Sequence, residues 1–186
     1  MRSLWALCLV AVMPATIATA NPITAGVHAG VVNSASNADN AGDADTSLGL
    51  FGRLGFSHRI SGQLELSRIN LDDDYGAQGK IRSVTALVVV ELGSHKNFHW
   101  LLVAGAGLDH AETAYDSTSA NHFEGGMGLE YQAPGGFTIG ADLRIGGRSV
   151  DDDEVYYVDD APALIYAPGI DEGEYRSARI TAGIRF

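Results

Sequence analysis

The last twelve residues, Tyr175 to Phe186, read YRSARITAGIRF, and from Ser177 onwards they alternate without a break. Ala178, Ile180, Ala182, Ile184 and Phe186 share one phase, while Ser177, Arg179, Thr181, Gly183 and Arg185 share the other. Successive side chains of an extended strand point to opposite faces, so this segment carries an apolar face backed by a face with two arginines. The consequence is restrictive. A strand whose apolar face runs to the final residue needs a partner surface for all of it, and a one-residue slip in pairing would turn that face the wrong way.

The same period of two recurs upstream. Ile23, Ala25, Val27, Ala29 and Val31 alternate with Thr24, Gly26, His28 and Gly30, and Leu48, Leu50, Gly52, Leu54 and Phe56 form one face of a second strand with Arg53 on the other. Leu64 and Leu66 oppose Gln63, Glu65 and Ser67 in a third. The fourth, about Lys80 to Gly93, sets Val84, Ala86, Val88, Val90 and Leu92 against Ser83, Thr85 and Glu91, although Leu87 and Val89 blur it. A fifth runs from Phe98 to about His110, with Leu101 and Val103 competing in phase against Trp100, Leu102 and Ala104. In the sixth, Phe123, Met127, Leu129 and Tyr131 oppose Glu124, Gly126, Gly128 and Glu130; in the seventh, Phe137, Ile139, Ala141, Leu143 and Ile145 oppose Thr138, Gly140, Asp142, Arg144 and Gly146.

The connections alternate in length. Asn33 to Asp45, Asp72 to Gly76, Ala111 to Ala120 and Asp151 to Glu174 are long and polar, whereas His58 to Ser61, His95 to Asn97 and Ala133 to Gly136 are tight turns. Eight strands with long loops at one end and short turns at the other predict an all-β fold, an eight-stranded antiparallel up-and-down transmembrane β-barrel. Strands of about 9 to 11 residues are long enough to cross a bilayer obliquely. Phe56, Phe98, Trp100, Tyr131, Phe137 and Phe186 all fall near the short-turn end, as a ring at a membrane-water boundary requires.

Charge follows the same division. Of 23 acidic residues, 17 lie in the four long loops: Asp39, Asp43 and Asp45; Asp72 to Asp74; Glu112 and Asp116; and Asp151 to Glu154, Asp159, Asp160, Asp171, Glu172 and Glu174. The basic residues after Arg2 lie in strands or tight turns. The opening segment stands apart: Arg2, the apolar run Leu4 to Val12 and the small-x-small site Ala18-Thr19-Ala20 predict a cleaved signal peptide over residues 1–20, followed by one domain over 21–186. The run is too short for a helix spanning a bilayer. The lone cysteine, Cys8, follows Leu7, which is too large for a lipoprotein cleavage motif, and leaves with the signal. No disulfide or thiol site then remains. Losing Arg2 takes the formal charge from -11 to -12, which argues against nucleic acid as a partner.

With its signal peptide, strand rhythm, aromatic ring and terminal phenylalanine, the chain resembles small OmpA/OmpX-type bacterial outer-membrane β-barrel proteins. The resemblance implies location in the outer membrane and no cofactor. It implies a structural or surface-interaction role, envelope integrity or adhesion, through acidic outer loops that would favour an external basic ligand. It also implies that Phe186 ends an assembly signal read by the barrel assembly machinery. A narrow porin-like channel is the alternative, and an enzyme modifying lipid A in the outer leaflet a lesser one.

Candidate residues follow from the phases. The face opposite the apolar one holds Arg53, Glu65, Glu91, Glu130, Asp142, Arg144, Arg179 and Arg185, which a narrow barrel must pair internally, giving an expected ion-pair network in the lumen. Arg68, Lys80, Arg82 and Arg176 sit on the lipid-facing phase at the loop end, where long basic side chains reach lipopolysaccharide phosphates or simply solvate the rim. Asp72 to Asp74 and Asp151 to Asp153 lack the spacing of a calcium loop and read as solvated acid, so no metal site is expected. Asp109, His110, Glu112, Ser117, Ser119, His122 and Glu124 gather the residue types of a hydrolytic site around the third long loop, without a recognisable motif. The chain is therefore expected not to be an enzyme.

Overall fold

In the computed structural model, the described residues are 21–34, 44–71, 79–112, 117–150 and 173–186. The expected signal peptide and most of each long loop lie outside them. Eight strands run in chain order: β1 (Ile23–Ser34), β2 (Asp45–Gly55), β3 (Ile60–Leu71), β4 (Gly79–His95), β5 (Phe98–Glu112), β6 (Ser117–Gln132), β7 (Phe137–Val150) and β8 (Gly173–Arg185). Each pairs antiparallel with the next, and β8 returns to β1 to close the barrel. Closure leaves no strand edge with unpaired amides, the condition for a sheet in hydrocarbon.

The terminal segment pairs with both neighbours, Ile180 opposite Ala29 on β1 and Ala141 on β7. Backbone bonds between Phe186 and Ile23 tie the two ends together. Lys96 and the adjacent Gly135 and Gly136 take positive φ in two of the short turns. Gly135 and Gly136 adopt that conformation without the penalty a Cβ would bring. β5 and β6 run on to Glu112 and Ser117, so the third long connection is shorter than the sequence reading has it.

Burial is inverted relative to a soluble domain. Among the described residues, 16 buried side chains are polar or charged against 10 apolar ones, while Leu48, Leu143 and Ile180 are each more than 60% exposed on the outer wall. A surface of that kind is stable only in contact with lipid. The competing phases of β4 and β5 also resolve. Leu87, Val89 and Val103 point inward and are buried, because the interior of an eight-stranded barrel is filled by side chains and accepts apolar ones. A bulge between Glu91 and Gly93 shifts the β4 register near the short-turn end.

Candidate functional site in the barrel lumen

Inward positions at three levels carry the chemistry. Nearest the short turns, Arg53 on β2 bonds Glu130 on β6 at 2.8 Å, its Nε donates to Gln63 Oε1, and Gln63 Nε2 donates to Glu65 Oε1. At the centre two guanidiniums meet three carboxylates. Arg144 donates to Glu65 at 2.8 Å, to Asp142 at 3.0 Å and to Glu124 in a close contact. Arg179 donates to Glu65 at 2.7 Å and to Asp142 at 3.0 Å. Register makes this possible: Arg179 lies directly opposite Asp142, and Arg144 lies opposite Gly126. A Cβ on Gly126 would press into the Arg144 side chain.

Towards the long loops, Asp109 accepts from Arg148 Nε at 2.8 Å and lies 3.0 Å from His122 Nδ1. The alignment of that second contact is too poor for a hydrogen bond. His122 Nε2 lies 3.0 Å from Thr85 Oγ1. Tyr175 donates to Glu124 at 2.9 Å, and Arg148 stacks over the Tyr175 ring at 4.6 Å. Beside them is a small cavity of about 40 Å³ lined by His28, Ser47, Thr85 and His122. Its volume suits one to a few waters, on the order of 10–15 Å³ each by this kind of measure. Val32, Ile69, Ile81, Ala111 and Ala120 cluster with Tyr175 above it, giving the loop end of the lumen an apolar layer.

The structure divides the eight lumen candidates. Glu65, Asp142, Arg144 and Arg179 form one cluster, and Arg53 and Glu130 form a separate pair. Glu91 faces His99 at 3.1 Å, and Arg185 donates to Gln132 at 3.0 Å in place of an acid. Asp109, Glu124, His122, Arg148 and Tyr175 are further buried polar or charged groups of the interior. Of these, Arg148 continues the inward phase of Asp142 and Arg144 and was legible once β7 extends to Val150.

The hydrolytic cluster is corrected. Asp109, His122 and Glu124 point into the lumen and are buried, whereas His110 and Ser119 are exposed on the outer wall and contact each other at 3.1 Å. They stand on opposite faces of one sheet, as their odd and even spacing dictates. Thr85, His122 and Asp109 do follow the order hydroxyl, imidazole, carboxylate. Arg148 occupies the carboxylate, however, and the adjoining cavity is far below the few hundred Å³ usual for a substrate pocket. Among the described residues, no three His, Cys, Asp or Glu side chains converge to hold a metal.

On the outer wall, Arg68, Lys80, Arg82 and Arg176 are exposed, and Arg176 pairs with Glu174 on its own strand. Phe98 and Tyr131 pack with ring centroids 5.0 Å apart and planes tilted by 52° beside the short turns, with Phe56, Trp100, Phe137 and Phe186 exposed at that end.

The fold resembles that of the Neisserial surface protein A, NspA (TM-score 0.62, 12% identity, covering 90% of this chain and 96% of that one). It also resembles the outer membrane protein OprG from Pseudomonas aeruginosa (TM-score 0.50, 14% identity, covering 89% and 95%). At such identities the likeness is one of fold. No curated protein matches the chain in sequence. The family model described as "Outer membrane protein beta-barrel domain" matches residues 3–186. That match spans nearly the whole sequence and agrees with a closed wall that is apolar outside and polar within, so the chain belongs to the outer membrane protein β-barrel family.

Proposed function

We infer that this outer-membrane barrel is a closed, non-enzymatic wall element whose lumen is plugged by ion pairs, and that it serves envelope integrity or surface interaction through its acidic loops. The carrying observation is the central cluster, in which Arg144 and Arg179 are held by Glu65, Asp142 and Glu124 with little side-chain exposure. Buried charges are tolerable only when paired, and each of these has at least one partner of opposite sign. Filling the centre with five long side chains leaves no path comparable to a porin lumen. The apolar layer around Ile81 narrows the lumen nearer the loops.

On this reading residues 1–20 direct export and are removed, and the strand ending in Phe186 engages the assembly machinery. The external partner is basic, in keeping with the acidic loops. Liposome swelling in small sugars tests the closed lumen. Proteoliposomes should swell no faster than protein-free vesicles, and swelling that depends on protein dose would refute the plug. For the surface role, a deletion strain should lose barrier function or attachment to cationic surfaces while its lipid A composition stays the same. A changed lipid A pattern would instead favour the enzyme reading.

A further inference from the structure

The two ends of the chain's hairpins differ in charge. Of 23 acidic residues, 17 fall in or beside the long connections, whereas the short-turn end carries Arg53, Arg59, Lys96 and Arg185 against Glu91 and Glu130. Neither of those two carboxylates is spare. Glu130 is held by Arg53 at 2.8 Å, and Glu91 lies 3.1 Å from His99. Arg185 donates to the neutral Gln132 side chain at 3.0 Å, and among the described residues Arg59 has no acidic partner. A chain with a formal charge of -11 thus keeps, among its described residues, two guanidiniums without a carboxylate at one mouth of its lumen.

The backbones that carry these two arginines are pinned. Arg59 sits in the β2–β3 turn, where its carbonyl accepts from the Glu91 amide at 2.7 Å beside the β4 bulge. Arg185 ends β8, and its amide donates to the Gly136 carbonyl at 2.8 Å. Both line a mouth cavity of about 50 Å³ together with Arg53, Glu91, His99 and Glu130. At about 10–15 Å³ per water by this kind of measure, the space takes a carboxylate group or a few waters. A cleft of about 360 Å³ adjoins it between the β4–β5 and β6–β7 turns, sharing His99 and lined by Lys96 and by the Asn97 and Gln132 amides. A concave basic mouth concentrates anions, and planar guanidinium forks match carboxylates. A single small acid would occupy the mouth alone. Filling both spaces takes carboxylates spaced along a chain whose amide groups meet Asn97 and Gln132. The short turns of such barrels face the periplasm. We propose that the short-turn mouth binds an acidic peptide from the periplasmic side, with one carboxylate at Arg59 and Arg185 and another at Lys96. The site stands whether or not the lumen conducts.

The test uses the full barrel in phosphatidylcholine nanodiscs, which leave both ends open, titrated into a fluorescently labelled hexaglutamate peptide and read by anisotropy. The wild type should bind it, and should bind labelled hexaglutamine at least about tenfold more weakly. Arg59→Gln and Arg185→Gln should each weaken hexaglutamate binding roughly tenfold, as expected for loss of a charge-assisted contact, and Lys96→Gln roughly threefold. Arg176→Gln, at the loop end, should leave binding unchanged. Heat-modifiable gel mobility separates lost binding from lost folding: Arg59→Gln, whose side chain gives up no acidic partner among the described residues, should migrate as wild type. No binding by the wild type, or undiminished binding by folded Arg59→Gln or by the Arg59→Gln/Arg185→Gln double variant, overturns the proposal. Full displacement by glutarate at the peptide's own concentration would also overturn it, since the mouth would then take a free small acid.

Discussion

Replacing Arg144 by alanine is the most informative single perturbation of the lumen. Its guanidinium touches Glu65, Glu124 and Asp142. Removing one partner of a buried pair costs about 3–5 kcal/mol, because a charge is left without compensation. Here the residue that suffers most is Glu124. Glu65 and Asp142 keep Arg179, whereas Glu124 keeps, among the described residues, only the Tyr175 hydroxyl at 2.9 Å. That redundancy puts the expected loss near the lower end, about 3 kcal/mol, a large part of the roughly 5–15 kcal/mol typical of a folded domain. Urea unfolding in lipid vesicles reads it out, with Trp100 on the outer wall as the fluorescence reporter. Arg176→Ala is the reference, since its exposed pair with Glu174 is worth at most about 1 kcal/mol. Truncating Glu124 together with Arg144 should cost less than the two separate losses, by about 1–3 kcal/mol. An Arg144→Ala barrel within about 0.5 kcal/mol of wild type would refute the reasoning, because surface substitutions alone fall in that range.

Other outcomes follow from the same geometry. Gly49→Ala should destabilise by about 1–3 kcal/mol, because the new Cβ would lie 2.8 Å from His28 Cε1 inside the packed lumen, while Gly52→Ala on the same strand meets nothing within 4 Å and should be near neutral; urea midpoints compare them. Leu143→Arg places a charge on the lipid-facing wall and should cost roughly 2–4 kcal/mol in a bilayer, with a smaller loss in detergent micelles. Deleting Phe186, whose backbone bonds close the barrel against Ile23, should lower the folded fraction in cells as judged by heat-modifiable gel mobility, whereas Phe186→Tyr should largely preserve it.

How much of this was legible in the sequence depended on what each strand faces. β7 and β8 alternate cleanly because one face meets lipid and the other meets charge, so residues such as Leu143 and Arg144 announce their sides. β4 and β5 do not, because Leu87, Val89 and Val103 help fill the lumen and look like wall residues until the register is known. The central cluster was partly readable, since Arg179 opposite Asp142 follows from pairing the last two strands. Glu124 was placed on the correct phase but grouped with outward-facing His110, because sequence proximity at a loop conceals which face each residue takes. The glycines that seat large side chains were silent for a related reason. Gly49 matters through His28 on the neighbouring strand, and only register brings the two together. On the wall, the shared rung of Arg68 and Arg82 also emerged only from pairing.

Single-channel recording tests the central claim most directly, with wild type and the Arg144→Ala/Arg179→Ala double variant reconstituted in the same planar bilayer. If the ion pairs close the lumen, wild type should give no steady conductance, and the double variant should show discrete steps once the two central guanidiniums are gone. Steady steps from wild type, unchanged by removing both arginines, would contradict the account.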